Sequence, residues 1–491
     1  MGVIARQSIK GAIANYIGVA IGFFVSFFVL TKYLTQEEIG LTRVLVDAAM
    51  LFSSLAQLGS NSSVVKFFPY FRDDKNNHGV FGLSVLLPLA GFVLFALAFL
   101  IFREPLLAVY ADKSPLLADY FYLLPMLTFF SLYTSVFETN ASVLLRITVP
   151  KLVREVGIRL FNLVAYLLYG FDLISIDIFV WMFCGSYGLA MLLNLGYLMT
   201  LGHISFRIDR GFLTHDRVKE IGRYTLYMTM TALAGNIPLF NSLFLGAKTG
   251  LALTGVYTIA SYIANVVEVP YRSLGAISRP VIATAIKEDR WDEVNRLSRQ
   301  VSLHQLLVSL LIFYVIWINI DTLFAVIPNG KDYVDGVGVV FLLGIAKVIN
   351  SSFSVSSDIL NYSRFYSRGL PFIVVLTVAA IVFNNTLIGS MGISGAACAT
   401  LCAYLLYYVL LLGYLWRKLK VSVFSTGQLK TVVLIIALLL LDRGWRIWMT
   451  SALGLSLIVG AVVKTVVLGG LAAAAVYFWK ISPTVNSIIK K

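Results

Sequence analysis

The sequence predicts an all-helical integral membrane protein that is built from two repeated halves. Of its 491 residues, 59% are hydrophobic and only 13% are charged, a composition too apolar for a soluble protein of this length. The mean hydropathy of +0.85 agrees with this class. Apolar segments and loops also recur in the same order about 215 residues apart, as in membrane transporters whose halves are structural repeats.

Fourteen apolar segments are candidates to cross the bilayer, whose hydrocarbon core requires a helix of about 20 residues. The last but one is the least apolar, because Asp442, Arg443 and Arg446 fall inside it. We therefore expect about fourteen transmembrane helices. They lie near 11–33, 41–60, 79–102, 119–145, 156–172, 177–200, 223–247, 255–279, 301–327, 337–360, 369–388, 394–416, 429–449 and 453–479.

The repeat defines the expected domain organisation. Its register places Gly40 over Gly255, and the same shift places the segment 177–200 over 392–415 without a gap. Residue identity between the halves is low, so hydropathy rather than sequence is repeated. Repeats of this kind place a substrate site at their interface and alternate its access. We expect six-helix lobes at 1–205 and 206–420, followed by two additional transmembrane helices and a cytoplasmic tail in 421–491.

Lys and Arg are distributed unequally between the two sides of the predicted membrane. Since the bounds of the spans are loose by several residues, residues near span ends are counted with the adjoining loops. Seven then belong to the loops that follow odd-numbered spans, twenty-seven to the other loops and the chain ends, and five lie deeper within spans. Positively charged loops stay in the cytoplasm, so both termini are predicted to be cytoplasmic. The net charge of +14 then reflects topology, and we expect contacts with membrane lipids and none with nucleic acid.

Sequence features of enzymes are missing. The segment from Gly246 to Thr249 lacks the upstream glycine of a phosphate-binding loop. Cys184, Cys398 and Cys402 lie in apolar spans without the His and acidic neighbours of a metal site, which favours buried structural roles. No outer loop exceeds about 20 residues on this assignment, which is too short for an external catalytic domain. The sequence predicts a transporter that is not an enzyme, with no metal and no cofactor.

Ionisable residues within the spans are the candidates for a substrate site, since each costs about 2.5–3.5 kcal/mol at the centre of the bilayer. Arg43 and Asp47 are four residues apart, as are Glu268 and Arg272. This spacing puts both members of each pair on one face of a helix. Either the members neutralise each other, or the pair lines a cavity in which the arginine meets an anion.

The remaining candidates lie alone in their spans or at span ends. Lys347 and Lys464 lie near the middle of the tenth and fourteenth spans, where an amine needs a carboxylate, a cavity or an anionic ligand. Lys66 and Arg279 end the second and eighth spans, where they form a cationic mouth or anchor the helices by the positive-inside rule. Glu138 is a candidate coupling carboxylate or the partner of an interhelical hydrogen bond.

Short motifs at the start and in the middle of the chain show a resemblance to a known family. They are Asn15-Tyr16-Ile17-Gly18, Lys32-Tyr33-Leu34-Thr35-Gln36-Glu37-Glu38-Ile39-Gly40-Leu41, Phe67-Phe68-Pro69, Gly246-Ala247-Lys248-Thr249-Gly250 and Ser278-Arg279-Pro280. Together they resemble polysaccharide exporters of the multidrug/oligosaccharidyl-lipid/polysaccharide flippase superfamily.

The resemblance implies two six-helix lobes in a V shape around a central cavity in a bacterial cytoplasmic membrane. In that family the cavity moves undecaprenyl-diphosphate-linked oligosaccharide from the cytoplasmic to the outer leaflet by alternating access. The product serves surface polysaccharides such as the O-antigen of lipopolysaccharide. The lipid-linked anionic oligosaccharide is then the expected ligand, and other polysaccharide-assembly membrane proteins are candidate partners.

Two other functions stay open at this point. A cation-coupled multidrug exporter of the same fold needs carboxylates for its coupling ion, whereas the unpaired charges within these spans are mostly basic. A membrane-embedded sugar ligase needs a cluster of acidic or His residues and a sizeable outer loop. The basic excess favours an anionic cargo.

Overall fold

The computed structural model describes residues 17–71, 77–202, 214–234, 237–452 and 457–481. Within these ranges every regular element is a helix, which confirms the predicted all-helical class. The main helices are α1 (Ile17–Tyr33), α2 (Gln36–Ala56), α3 (Ser60–Phe71), α4 (Val80–Ala111), α5 (Leu124–Val143), α6 (Ile158–Gly170), α7 (Ile176–Thr200), α8 (His215–Ala234), α9 (Ile237–Lys248), α10 (Leu251–Asn265), α11 (Val269–Lys287), α12 (Trp291–Ile318), α13 (Val337–Tyr362), α14 (Gly369–Leu419), α15 (Thr426–Ala452) and α16 (Leu457–Phe478).

Nine helices in the described ranges are long and apolar enough to cross a membrane. The protein is thus a multi-span membrane protein, and the count of fourteen spans stays a prediction. One of the nine, Tyr366–Leu419, contains both predicted spans between 369 and 416. Gly392 interrupts it with φ 55° and ψ −133°, a conformation that only glycine adopts readily. The side chains of Arg443 and Arg446, in the least apolar predicted span, lie outside the described residues.

Helix α2 begins at a capping box. The Thr35 backbone N–H donates to Glu38 Oε2 over 2.8 Å, and the Glu38 N–H donates to Thr35 Oγ1 over 3.3 Å. These bonds satisfy amide groups that have no partner within the helix. Tyr169 from α6 donates its hydroxyl proton to the other oxygen of Glu38. The Thr35-to-Glu38 motif therefore fixes where α2 starts and ties it to α6.

Gly40 and Gly255 form a reciprocal contact between α2 and α10. A Cβ atom on Gly40 would collide with the carbonyl oxygen of Leu251, and one on Gly255 would collide with the carbonyl oxygen of Gln36. The repeat register superposes these same residues, Gly40 on Gly255 and Gln36 on Leu251. A contact in which each member repeats the other's role is what two-fold symmetry produces. Glycine is required at both positions because the two helix backbones touch.

The chain divides into two compact units, Met1–Thr258 and Ile259–Lys491. The first contains an aromatic-rich core in which Tyr133 and Phe137 of α5 pack with Phe81 and Leu198. The second contains a core formed by Val267, Leu306, Phe313 and Val348. The lobe boundaries at 205 and 420 stay predictions.

The two C-terminal helices pack against α12 in the second unit. Leu434 and Leu438 of α15 and Leu468 of α16 form a buried cluster with Leu307 and Tyr314. The Tyr314 hydroxyl donates to the Leu438 carbonyl over 3.2 Å, so the polar end of this buried ring is satisfied. Apolar packing thus attaches the extra helices to the body of the second unit.

Candidate functional site

The first predicted charge pair, Arg43 with Asp47, forms within α2. Arg43 Nε lies 2.5 Å from Asp47 Oδ2, as the four-residue spacing predicts. Ser242 of α9 donates its hydroxyl proton to the same oxygen over 2.6 Å. The carboxylate is buried, whereas 22% of the arginine side chain is exposed. Asp47 is therefore neutralised inside the protein, and the accessible charge of the pair is that of Arg43.

Glu268 of the second predicted pair contacts a lysine that is distant in the sequence, and its pair with Arg272 stays a prediction. Lys347 Nζ lies 3.1 Å from Glu268 Oε2, although 79 positions separate the two residues. Only 9% of the lysine side chain and 14% of the glutamate side chain are exposed. Lys347 thus meets its requirement for a counter-charge with a carboxylate from the preceding spans. The Arg272 side chain lies outside the described residues.

Two polar side chains that the sequence reasoning missed complete this second site. Asn350 donates its amide proton to Glu268 Oε1 over 2.8 Å. The Tyr408 hydroxyl in turn donates to Asn350 Oδ1 over 2.8 Å. Both oxygens of the carboxylate are therefore bound, as a buried charge requires. The sequence could have indicated these two residues, because an Asn and a Tyr within apolar spans carry a buried amide and a buried hydroxyl that need hydrogen-bond partners.

Arg279 lies in a third cluster with one carboxylate and one aromatic ring. Its Nε donates to Asp358 Oδ2 over 3.0 Å, and its Nη2 donates to the Tyr271 hydroxyl over 2.6 Å. The guanidinium carbon also lies 5.5 Å from the centre of the Tyr271 ring, within cation–π distance. The arginine side chain is 37% exposed. Helix α11 continues past Pro280 to Lys287, so Arg279 does not mark the end of the helix.

Lys66 contacts aromatic rings in the first unit. Its Nζ lies 4.0 Å from the centre of the Tyr224 ring and 4.9 Å from that of Phe67. The two rings meet edge to face at 5.7 Å. Lys66 and Arg279 belong to different units, and their common cationic mouth stays a prediction.

Lys464 and Glu138 each have an ion-pair partner. Lys464 Nζ lies 3.3 Å from Asp442 and donates to the Ile318 carbonyl at the end of α12. Lys464 thereby links α16 to α15 and α12, and only 12% of its side chain is exposed. Glu138 accepts a hydrogen bond of 2.8 Å from Arg154. The roles proposed for both residues in ligand binding and coupling stay predictions.

These contacts show which of the candidate cations are accessible to an anionic ligand. Lys347 and Lys464 are enclosed by protein and bound to carboxylates, so binding an anion there requires the lysine to leave a buried partner. Such an exchange leaves a carboxylate uncompensated, which is costly. Arg43 and Arg279 keep a larger part of their side chains accessible. Arginine can also hold a carboxylate and bind a phosphate in parallel, because its guanidinium carries five donors.

No group of three or more His, Cys, Asp or Glu side chains is arranged to hold a metal ion among the residues that the structure describes. Cys398 Sγ and Cys402 Sγ lie 4.0 Å apart in α14. They have the four-residue spacing of one helix face, and Cys184 is buried.

Comparison with known proteins places these features in a family and a fold. A family model described as "Polysaccharide biosynthesis protein" matches residues 8–286, more than half of the chain. No curated protein sequence matches the chain.

Three solved structures of flippases or transporters have a similar fold. The structure of the lipid II flippase MurJ in an inward closed conformation matches with a TM-score of 0.70 and 12% identity, covering 94% of this chain and 98% of that one. An inward-facing multidrug resistance MATE family transporter of the MOP superfamily matches with a TM-score of 0.62 and 17% identity, covering 86% and 98%. A MOP superfamily transporter from Pyrococcus furiosus matches with a TM-score of 0.52 and 15% identity, covering 85% and 95%. At these identities the likeness establishes the fold.

Proposed function

Because the chain belongs to the polysaccharide biosynthesis protein family and has the fold of MOP superfamily transporters, we propose that it is a lipid-linked oligosaccharide flippase. It moves an undecaprenyl-diphosphate-linked oligosaccharide from the cytoplasmic to the outer leaflet by alternating access. It works in a bacterial cytoplasmic membrane, with both termini in the cytoplasm, beside other membrane proteins of surface polysaccharide assembly such as O-antigen synthesis. The observation that carries this proposal is the family match over residues 8–286.

Electrostatics supports an anionic cargo. One pair of unit charges about 4 Å apart gains roughly 4 kcal/mol at an effective dielectric constant near 20. Two or three such contacts offset much of the desolvation of a diphosphate. An inside-negative potential adds about 2.3 kcal/mol per charge per 100 mV to outward movement of an anion. The membrane potential therefore favours export of this cargo.

The paired carboxylates weigh against a cation-coupled multidrug exporter. Asp47, Glu268 and Asp358 each lie within ion-pair distance of a lysine or arginine, and Glu138 and Asp442 do as well. A coupling cation or a cationic drug therefore has to compete with the basic side chain that each of these carboxylates already contacts. If the protein were a membrane-embedded sugar ligase, the purified protein would transfer glycan. The flippase proposal excludes such transfer.

Arg279 provides a direct test of the cargo's charge. We expect the double variant R279Q/D358N to flip a fluorescent undecaprenyl-diphosphate oligosaccharide in proteoliposomes at least about tenfold more slowly, since a charged hydrogen bond contributes about 1.5–3 kcal/mol. Replacing both partners avoids an unpaired Asp358, so a slower rate reflects loss of the cation for the ligand.

The matched control is R296Q, which removes an arginine that is 67% exposed in α12 and is expected to leave the rate unchanged. If R279Q is slow but R279Q/D358N recovers the wild-type rate, Arg279 only neutralises Asp358 and does not bind cargo. If a deletion strain accumulates no lipid-linked glycan in the cytoplasmic leaflet, the flippase proposal itself is wrong.

A further inference from the structure

An open cavity of about 490 Å³ lies in the second unit, where the ends of several helices meet. Its lining includes four basic side chains and a single acidic one. The basic side chains come from the end of α11, from the segment after α13 and from the end of α14. Small-molecule sites typically have volumes of about 300–1,000 Å³, so the cavity has the size of a ligand site. The charged lining residues are Lys287, Arg364, Lys418, Lys420 and Asp289.

The positive charge of this cavity is not balanced by the carboxylates around it. Among the residues that the structure describes, neither Lys287 nor Lys418 has a carboxylate within ion-pair distance. Asp289 accepts a hydrogen bond of 2.5 Å from the indole nitrogen of Trp291. The neighbouring carboxylates of Glu288 and Glu293 are both bound by Arg290. Arg290 thus neutralises part of the acidic surroundings, and Asp289 leaves the lining of the cavity with three positive charges in excess.

The two other basic residues face aromatic rings rather than carboxylates. Arg364 lies with its guanidinium carbon 5.1 Å from the centre of the Phe365 ring. Lys420 Nζ lies 5.7 Å from the centre of the Trp416 ring. Cation–π contacts hold these side chains without neutralising their charge. Neither contact therefore supplies a negative charge to Arg364 or Lys420.

Backbone hydrogen bonds hold one wall of the cavity in place. Lys420 ends α14 in a left-handed conformation with φ 55°, and its carbonyl accepts a hydrogen bond of 3.2 Å from the Asn295 amide of α12. The oxygen of that amide accepts a hydrogen bond of 2.9 Å from the Ser422 N–H. Asn295 thus fixes the loop that follows α14 against the helix that begins with Trp291. A preformed site of this kind loses less entropy on binding.

Helix electrostatics explains part of this arrangement but not all of it. Lys287 and Lys418 lie in the last turns of α11 and α14, where a positive charge is stabilised by the helix dipole. Positive residues are also expected on the cytoplasmic side. Neither effect brings Arg364 and Lys420 to the same cavity, where mutual repulsion of the four charges opposes the arrangement. A bound anion removes that repulsion.

We propose that this cavity binds a phosphate-bearing anion at the side of the membrane that the sequence predicts to be cytoplasmic. Lys287 and Lys418 supply the charge for the phosphate oxygens, and Arg364 offers donors for bidentate binding. Trp291 and Tyr362 line the same cavity and provide flat apolar surfaces beside the charge. The phosphate belongs either to an anionic lipid headgroup or to a soluble phosphate compound. The lining of the cavity includes none of the cations discussed above for the cargo, so the inference does not depend on the proposed flipping activity.

Binding to the purified full-length protein tests the proposal. Inorganic diphosphate is titrated calorimetrically against the protein in a neutral detergent. In parallel, the protein is placed in phosphatidylcholine nanodiscs with and without phosphatidylglycerol, and retained anionic lipid is measured by native mass spectrometry. We expect K287Q/K418Q to weaken binding of the anion by about tenfold through the loss of charge-assisted contacts. Both lysines are exposed, so the thermal unfolding temperature should not change.

The two arms identify the source of the phosphate. If diphosphate binds in the calorimeter and the double variant weakens this binding, the ligand is a soluble phosphate compound. If the wild-type protein retains phosphatidylglycerol, the double variant does not, and diphosphate does not bind, the ligand is a lipid headgroup. The matched control K331Q removes an exposed lysine on the predicted outer side and should leave both signals unchanged. Binding in neither arm, or an equal loss with K331Q, overturns the proposal.

Discussion

Replacing Lys347 with methionine is expected to lower the free energy of unfolding by about 3–5 kcal/mol, because it removes the lysine that forms an ion pair with a buried carboxylate. Glu268 is mostly enclosed, and its remaining partner in the described structure is the Asn350 amide. Methionine has nearly the length of lysine, so the packing of α13 is preserved and the charge is the main change. Equilibrium unfolding in mixed micelles, monitored by circular dichroism, measures the difference.

The companion variant K347M/E268Q tests whether the loss of stability comes from the unpaired charge or from the altered side chains. Replacing both members of a buried ion pair by neutral groups is often close to neutral for stability, so most of the loss should be recovered. The double-mutant cycle gives the coupling energy between the two residues. If K347M unfolds like the wild type, the contact at 3.1 Å does not stabilise the protein. If K347M/E268Q is stable but flips lipid-linked oligosaccharide slowly, the ion pair of Lys347 with Glu268 also serves transport.

Replacing Gly40 or Gly255 with alanine is expected to lower the free energy of unfolding by about 1–3 kcal/mol, as overpacking does in a close-packed interior. Each new methyl group collides with a backbone carbonyl of the other helix, and a backbone cannot turn aside as a flexible side chain can. The loss should occur even though alanine favours a helix over glycine by about 1 kcal/mol. Chemical unfolding of each variant measures it.

The control for this second prediction is G196A in α7. No atom lies within 4 Å of the added Cβ there, so alanine should leave the stability unchanged or raise it by up to about 1 kcal/mol. The double variant G40A/G255A should lose less free energy of unfolding than the two single variants lose in total, because the first methyl group already separates the two helices. Single variants that are as stable as G196A would contradict the close backbone contact.

Local features of the candidate site could be predicted from the sequence, since they depend on residues that are close along the chain. Arg43 and Asp47 pair as their four-residue spacing indicates. Spacing alone also suggested the pair of Glu268 with Arg272. That pair stays a prediction. Spacing did not suggest the contact of Glu268 with Lys347, because it depends on how α11 and α13 approach each other.

The amino-acid sequence by itself determined the membrane class, the helical content and the repeat that superposes Gly40 on Gly255. These follow from composition and hydropathy, which act on each segment separately. Only the tertiary structure decided that Lys347 meets Glu268, that Lys464 links the C-terminal helices to α12, and that four cations meet around one cavity. Each of these contacts joins residues far apart in the chain. Their distances are set by helix packing, which a one-dimensional pattern does not specify.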